Sequence, residues 1–156
     1  MISDATVLER YPNIRLDHVN KQLYKGYLEQ RLVLGRCDDC GRWHTPLRPR
    51  CPSCWSASVA AAPVSGRGTV HLLTLLHQGP PVVDYSRPWP LAAIELVEQP
   101  GLRFVGTLVD CPAPRIGLPV ELTWITRDDA PWPAFRPASQ SAASGSAASE
   151  AADVVA

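Results

Sequence analysis

The chain has 156 residues, with 15 lysines and arginines against 15 aspartates and glutamates, and 46% of it is hydrophobic. That length holds one ordinary domain or two small modules and excludes a large multi-domain enzyme, while the balanced charge excludes a global basic field drawing the chain to nucleic acid or anionic lipid. Sixteen prolines and ten glycines cut the sequence into short pieces and favour a turn-rich β architecture over a helical bundle.

Residues 1–15 are mixed in character and contain Pro12. They are expected to be a flexible arm that orders only against a partner. They place an acid before any base and hold no apolar run of signal-peptide length, and no stretch of the chain reaches the roughly 18 apolar residues of a membrane span, which predicts a cytoplasmic protein. From Leu16 to Gln30 the apolar residues Leu16, Val19, Leu23, Tyr24, Tyr27 and Leu28 recur at the spacing of one helical face. A helix is expected over 16–30, with Asp17 suiting its dipole.

Residues 31–57 hold two cysteine pairs among prolines and have no periodicity of their own, so this segment needs an external clamp. Five short β-like runs follow: Ser58–Val64, Gly68–His77, Leu91–Glu98, Leu102–Val109 and Pro119–Thr126. They are enough for a small barrel over 58–137, with a core of Val70, Leu72, Ile94, Leu96, Phe104, Leu108, Val120 and Leu122. In Glu98-Gln99-Pro100-Gly101, proline and glycine stand where a type II turn needs them, which predicts a hairpin. Residues 138–156 are almost entirely Ala, Ser and Gly with two acids, too little apolar surface to offset ordering entropy, and are expected to be a disordered tail. Ending the chain after Pro137 is therefore expected to leave the melting temperature within about 2 °C. A larger drop on truncation would show that the tail packs.

Cys37-Asp38-Asp39-Cys40 and Cys51-Pro52-Ser53-Cys54 give C-x2-C, ten residues, C-x2-C. Each pair puts two sulfurs on a tight knuckle, and two knuckles complete a tetrahedral shell for one structural zinc. Reducing cytoplasmic conditions favour metal over disulfides. Four thiolates leave no open coordination position, so a catalytic zinc is not expected. His44 is the nearby competitor as a ligand. Gly41 suits the sharp turn after the first pair, and Trp55 holds the matching place after the second. Arg31, Arg36, Arg42, Arg48, Arg50 and Arg67 surround the clamp against Asp38 and Asp39, either shielding the thiolates or meeting phosphates. Cys111, in Asp110-Cys111-Pro112, has no histidine or carboxylate spacing that would mark it as activated, and no phosphate-binding glycine loop occurs.

The helix, Cys37-x2-Cys40-Gly41, Arg48-Pro49-Arg50-Cys51-Pro52-Ser53-Cys54, Ser65-Gly66-Arg67-Gly68-Thr69-Val70, Ile116-Gly117-Leu118-Pro119-Val120 and Pro133-Ala134-Phe135-Arg136-Pro137 appear in that order. Over about Lys21 to Ala138 this resembles the acyl-CoA-associated proteins that join a rubredoxin-like zinc ribbon to an OB-fold, long known as a domain of unknown function. Gln30 and Trp55 depart from it, each standing where that family usually has glycine. The resemblance implies a mainly β fold: an N-terminal helix, a rubredoxin-like ribbon and a five-stranded OB-fold barrel. It also implies a small, non-catalytic partner of thiolase-superfamily enzymes, which make or break carbon–carbon bonds in acyl-CoA substrates, as in steroid side-chain or aromatic degradation. The nucleophile then belongs to the larger subunit, and a CoA thioester is the shared ligand.

Arg48, Arg50 and Arg67 are the candidates for CoA phosphates, since guanidinium binds phosphate bidentately. Tyr24, Tyr27, Trp43 and Trp55 are the candidates for a buried partner surface, where aromatic residues are enriched, and the helix face is expected to exceed what the ribbon can cover. The alternative is a single-stranded nucleic-acid module, a role both ribbons and OB-folds serve. Zero net charge and the leucine-rich run Leu72, Leu73, Leu75, Leu76 in place of stacking rings disfavour it.

Overall fold

A computed structural model describes residues 2–79 and 84–139. Its elements are α1 (Asp4–Arg10), α2 (Lys21–Leu28), β1 (Val33–Cys37), β2 (Trp43–His44), β3 (Val59–Pro63), β4 (Arg67–Leu76), β5 (Trp89–Leu96), β6 (Arg103–Leu108), β7 (Pro119–Arg127) and β8 (Ala130–Pro137). Strands β2-β1-β3 form a three-stranded sheet, and β4-β5-β6-β8-β7 close into a barrel. The fold is mainly β, as expected, with a ribbon followed by an OB-fold barrel. Closure leaves the barrel no free sheet edge. Among the described residues no helix is long and apolar enough to cross a membrane.

The first fifteen residues are not an arm. Ser3 caps α1, its hydroxyl accepting from the Thr6 amide at 3.1 Å, and Asp4 sits in the first turn where the helix dipole favours a carboxylate. Val7 is fully buried and Tyr11 is 3% exposed, its hydroxyl donating to the Pro131 carbonyl at 2.6 Å. The second helix is shorter than its apolar spacing suggests, because Asp17 Oδ1 accepts from the amides of Val19 and Asn20 and holds 17–20 as a turn. The tail lies outside the described residues except for Ala138 and Ser139.

The barrel has five strands, yet not the five expected. The 58–64 run forms β3, which pairs antiparallel with β1 from Val33↔Pro63 to Cys37↔Val59 and so belongs to the ribbon sheet. The fifth barrel strand is β8. It pairs antiparallel with β7 through a two-residue turn at Asp128 and Asp129, both at positive φ (48° and 59°), the geometry of a type I′ hairpin. It also pairs parallel with β6 at Thr107↔Ala134 and Leu108↔Phe135. Trp89 and Trp132 lie in β5 and β8.

Phe135, Ile94, Leu96, Val70 and Val120 are fully or almost fully buried and centre the core. Leu72 was expected there and is 55% exposed. A bulge causes this: Val70 pairs with Ile94 but Leu72 pairs with Ala93, so one extra residue reverses the in–out alternation and Leu73 turns inward instead. The expected turn is present, with the Leu102 amide donating to the Gln99 carbonyl at 3.0 Å and Gly101 at φ 79°. Gly66 shows why the Ser65–Val70 motif needs glycine: its φ is 73°, and a Cβ there would stand 2.4 Å from Leu122 Cβ.

Candidate metal centre and its surroundings

The ribbon brings the four cysteines of the two pairs together. Their sulfurs all lie within 4.8 Å of one another. Cys37 Sγ is 3.6 Å from Cys54 Sγ, and Cys40 Sγ is 3.6 Å from Cys51 Sγ. Sulfurs bonded to one zinc at about 2.3 Å in a tetrahedron stand roughly 3.8 Å apart. Disulfide sulfurs stand at about 2.05 Å, so these are metal-type separations. The donor set therefore fits zinc, which would be held by Cys37, Cys40, Cys51 and Cys54 and would supply a structural crosslink.

The two knuckles are built alike. The Gly41 amide donates to the Cys37 carbonyl at 2.9 Å, and the Trp55 amide donates to the Cys51 carbonyl at 3.0 Å. Gly41 and Trp55 both adopt left-handed backbone, at φ 69° and 62°. Amides of Cys54 and Ser53 approach the Cys51 sulfur, the Ser53 amide at 3.4 Å, and lower its pKa. Gln30 has φ 52°, so both departures from the family's usual glycine fall at left-handed positions. His44 is outside the ligand cluster. Its ring lies against Gly35, where a Cβ would come within 2.7 Å of Nε2, and burial lowers its pKa.

Besides the shared core, in which Leu34 of β1 packs with barrel residues, ribbon and barrel are tied by a side chain that no sequence pattern signalled. Gln99, in the β5–β6 turn, accepts from the Trp43 amide at 3.0 Å and donates to the Trp43 carbonyl at 3.2 Å, completing the free edge of β2. Arg36 stacks over the Trp43 ring at 5.5 Å.

The four aromatic interface candidates separate. Tyr27 is 4% exposed. It packs with Tyr24 (ring centroids 5.4 Å) and Trp124 (5.7 Å), and Tyr24 meets Tyr11 at 5.1 Å. The face of α2 expected to await a partner is thus covered by α1, Trp124 and Trp132. Trp43 is half-buried, whereas Trp55 is 73% exposed. Arg48 and Arg50 line one groove with Trp55, while Arg67 opens β4 and is not part of that groove. Cys111 is half-buried and packs against the core.

On the outer barrel wall, register aligns Leu72, Ala93 and Val105 across β4, β5 and β6. Leu72 and Val105 are 55% and 60% exposed. An apolar row there, with no ring to stack on, is unlike a nucleic-acid platform.

A four-cysteine ribbon fused to a closed five-stranded barrel defines a zinc-ribbon/OB-fold protein. The model of the ChsH2 rubredoxin-like zinc ribbon domain matches residues 25–60, and that of the ChsH2 C-terminal OB-fold domain matches residues 61–125. The chain belongs to this ChsH2, or DUF35, family. A DUF35 domain-containing scaffold protein of Pyrococcus furiosus is 33% identical over 97 residues, 62% of this chain and 69% of that one. A probable enoyl-CoA hydratase alpha subunit of Thermomonospora curvata is 32% identical over 130 residues, and the match spans 81% of this chain but only 40% of that relative's length. Among solved structures, a chain of the Ltp2-ChsH2(DUF35) aldolase superposes with a TM-score of 0.71 at 31% identity, covering 80% of this chain and 98% of that one.

Proposed function

We propose that this chain is a non-catalytic accessory subunit that binds a thiolase-like enzyme and helps form its acyl-CoA site for carbon–carbon bond formation or cleavage. The observation that carries this reading is the match along 98% of a chain from the Ltp2-ChsH2(DUF35) aldolase. The side chains agree with it. Among the described residues the four clustered thiols suit a closed, structural metal shell, and the remaining thiol, Cys111, has no base hydrogen-bonded to it. In this reading the large subunit supplies the nucleophile, a CoA thioester is the shared ligand, and Arg48, Arg50 and Arg67 are the candidates for its phosphates.

With Tyr24 and Tyr27 packed within the chain, the Leu72–Ala93–Val105 row is one exposed apolar surface open to the large subunit. Replacing Leu72 and Val105 together by aspartate puts two charges on exposed positions, so the fold is expected to survive. Association should weaken by at least tenfold, because buried unpaired charge opposes docking. Light scattering of the mixed subunits checks this, and an unchanged complex would remove that face from the interface. Cys111→Ala is expected to leave turnover of the assembled complex unchanged. A loss there, with the fold intact, would give this chain a chemical role.

A further inference from the structure

The β5–β6 turn holds the rest of the chain at two points. Glu98 Oε1 accepts from the amide of Ser65, in the link between β3 and β4, at 2.5 Å. Gln99 reaches into the ribbon and takes both backbone groups of Trp43. Pairs in an antiparallel ladder alternate between hydrogen-bonded and non-hydrogen-bonded. The amide and carbonyl of Trp43 both turn to Gln99, so its pair with Arg36 is of the second kind. Strand β2 has two residues and two pairs with β1, and the Gln99 side chain stands in for a neighbouring strand on its other edge.

Strand β2 is also the exit from the first knuckle. The Cys37 amide donates to the Arg42 carbonyl at 2.9 Å, which closes the loop carrying Cys37 and Cys40 one residue before Trp43. A continuous path therefore runs from two zinc ligands through β2 and Gln99 to a barrel turn. The barrel end of that path is firm. Leu102, 3% exposed, donates its amide to the Gln99 carbonyl at 3.0 Å, and its carbonyl accepts from the Leu96 amide at 2.8 Å.

We propose that Gln99 is a positioning residue for the metal site: by holding β2 it sets how tightly the ribbon retains zinc, and zinc in turn steadies the β5–β6 turn. The physical reason is linkage. Two pairs with β1 cannot hold β2 once the knuckle opens, so the bonds from Gln99 to Trp43 belong to the zinc-loaded state. Bonds made only in that state add to metal affinity, and the coupling is reciprocal. Two neutral hydrogen bonds, each contributing a factor of roughly two to ten, put the effect at about tenfold. The coupling lies within this chain and does not depend on the accessory role.

The test is a competition titration of the zinc-loaded full chain against a chelator of known affinity. Gln99→Ala should give up zinc at about tenfold lower chelator concentration. Gln99→Met keeps the length of the side chain and removes both bonds, so it should match the alanine variant and decides the matter if that variant folds poorly. Leu108→Ala, a buried position at the opposite end of β6, should lower the melting temperature yet leave the zinc competition within about twofold. Hydrogen exchange followed by NMR reads the reverse direction. As chelator removes zinc from the wild-type chain, exchange at the Leu102 amide should rise in step with zinc loss, ahead of the Val109 amide, which donates to the Phe135 carbonyl inside the barrel sheet at 2.8 Å. Unchanged zinc competition in both Gln99 variants overturns the proposal. An equal loss in Leu108→Ala would trace the effect to overall stability and overturn it too, as would Leu102 and Val109 amides that open together.

Discussion

Replacing Cys37, Cys40, Cys51 or Cys54 by serine is expected to leave the chain without zinc and its ribbon unfolded. Apparent binding energies at four-ligand structural zinc sites are about 10–16 kcal/mol, comparable to or larger than the roughly 5–15 kcal/mol that stabilises a whole domain. The ribbon has little else to hold it. Its sheet consists of a two-residue strand and two five-residue strands, and two of its fully buried side chains are the ligands Cys37 and Cys51. Loss of the metal also frees β2, so the Gln99 clamp on Trp43 has nothing fixed to grip. Elemental analysis with circular dichroism decides: about one zinc per folded wild-type chain, and metal-free, poorly soluble variants. A soluble, folded, zinc-free protein would contradict this. A strong chelator should reproduce the variants' behaviour, and acid should act likewise, because protons compete for thiolates.

Tyr11→Ala is expected to destabilise the chain by about 3–4 kcal/mol, the range for emptying a large buried aromatic site. Tyr11 packs at a tilt against Tyr24 and edge-to-face against Trp132, the latter at 5.5 Å, and its hydroxyl donates to β8. Its removal opens the aromatic cluster joining α1, α2 and the barrel. Leu8→Ala, on the same helix at 44% exposure, is the control and should cost under about 1 kcal/mol. Urea unfolding of both variants checks the pair. Equal, negligible effects would mean that the N-terminus is an arm after all.

What could be read from the residues was what local pattern determines. The cysteine spacing carried the ligand set because each knuckle is four residues long and its chemistry is local. The Pro100-Gly101 turn was legible for the same reason. Pairing was not. The 59–63 strand looks alike whether it joins a ribbon or a barrel, and only its register with β1 decides. Strand β8 was hidden because Pro131, Pro133 and Pro137 break a strand pattern, yet its neighbours on both sides tolerate the missing donors. A one-residue bulge near His71 leaves no mark in a leucine-rich run and turns Leu72 outward. The arm reading fails on seven residues whose capping serine is visible but whose partner surface is made by α2 together with β8, the latter more than a hundred residues away at Pro131. That error propagated, making Tyr27 look like a docking residue when it is core.

The accessory role is tested most directly by reconstituted turnover. The purified zinc-loaded chain, the purified thiolase-like subunit and their mixture are each assayed with acyl-CoA substrate, while light scattering reports the mass of the mixture. The expected result is no turnover by this chain alone, a hetero-complex on mixing, and turnover in the mixture that exceeds that of the large subunit. Sustained turnover by this chain without its partner, or a mixture that neither associates nor gains activity, would contradict it.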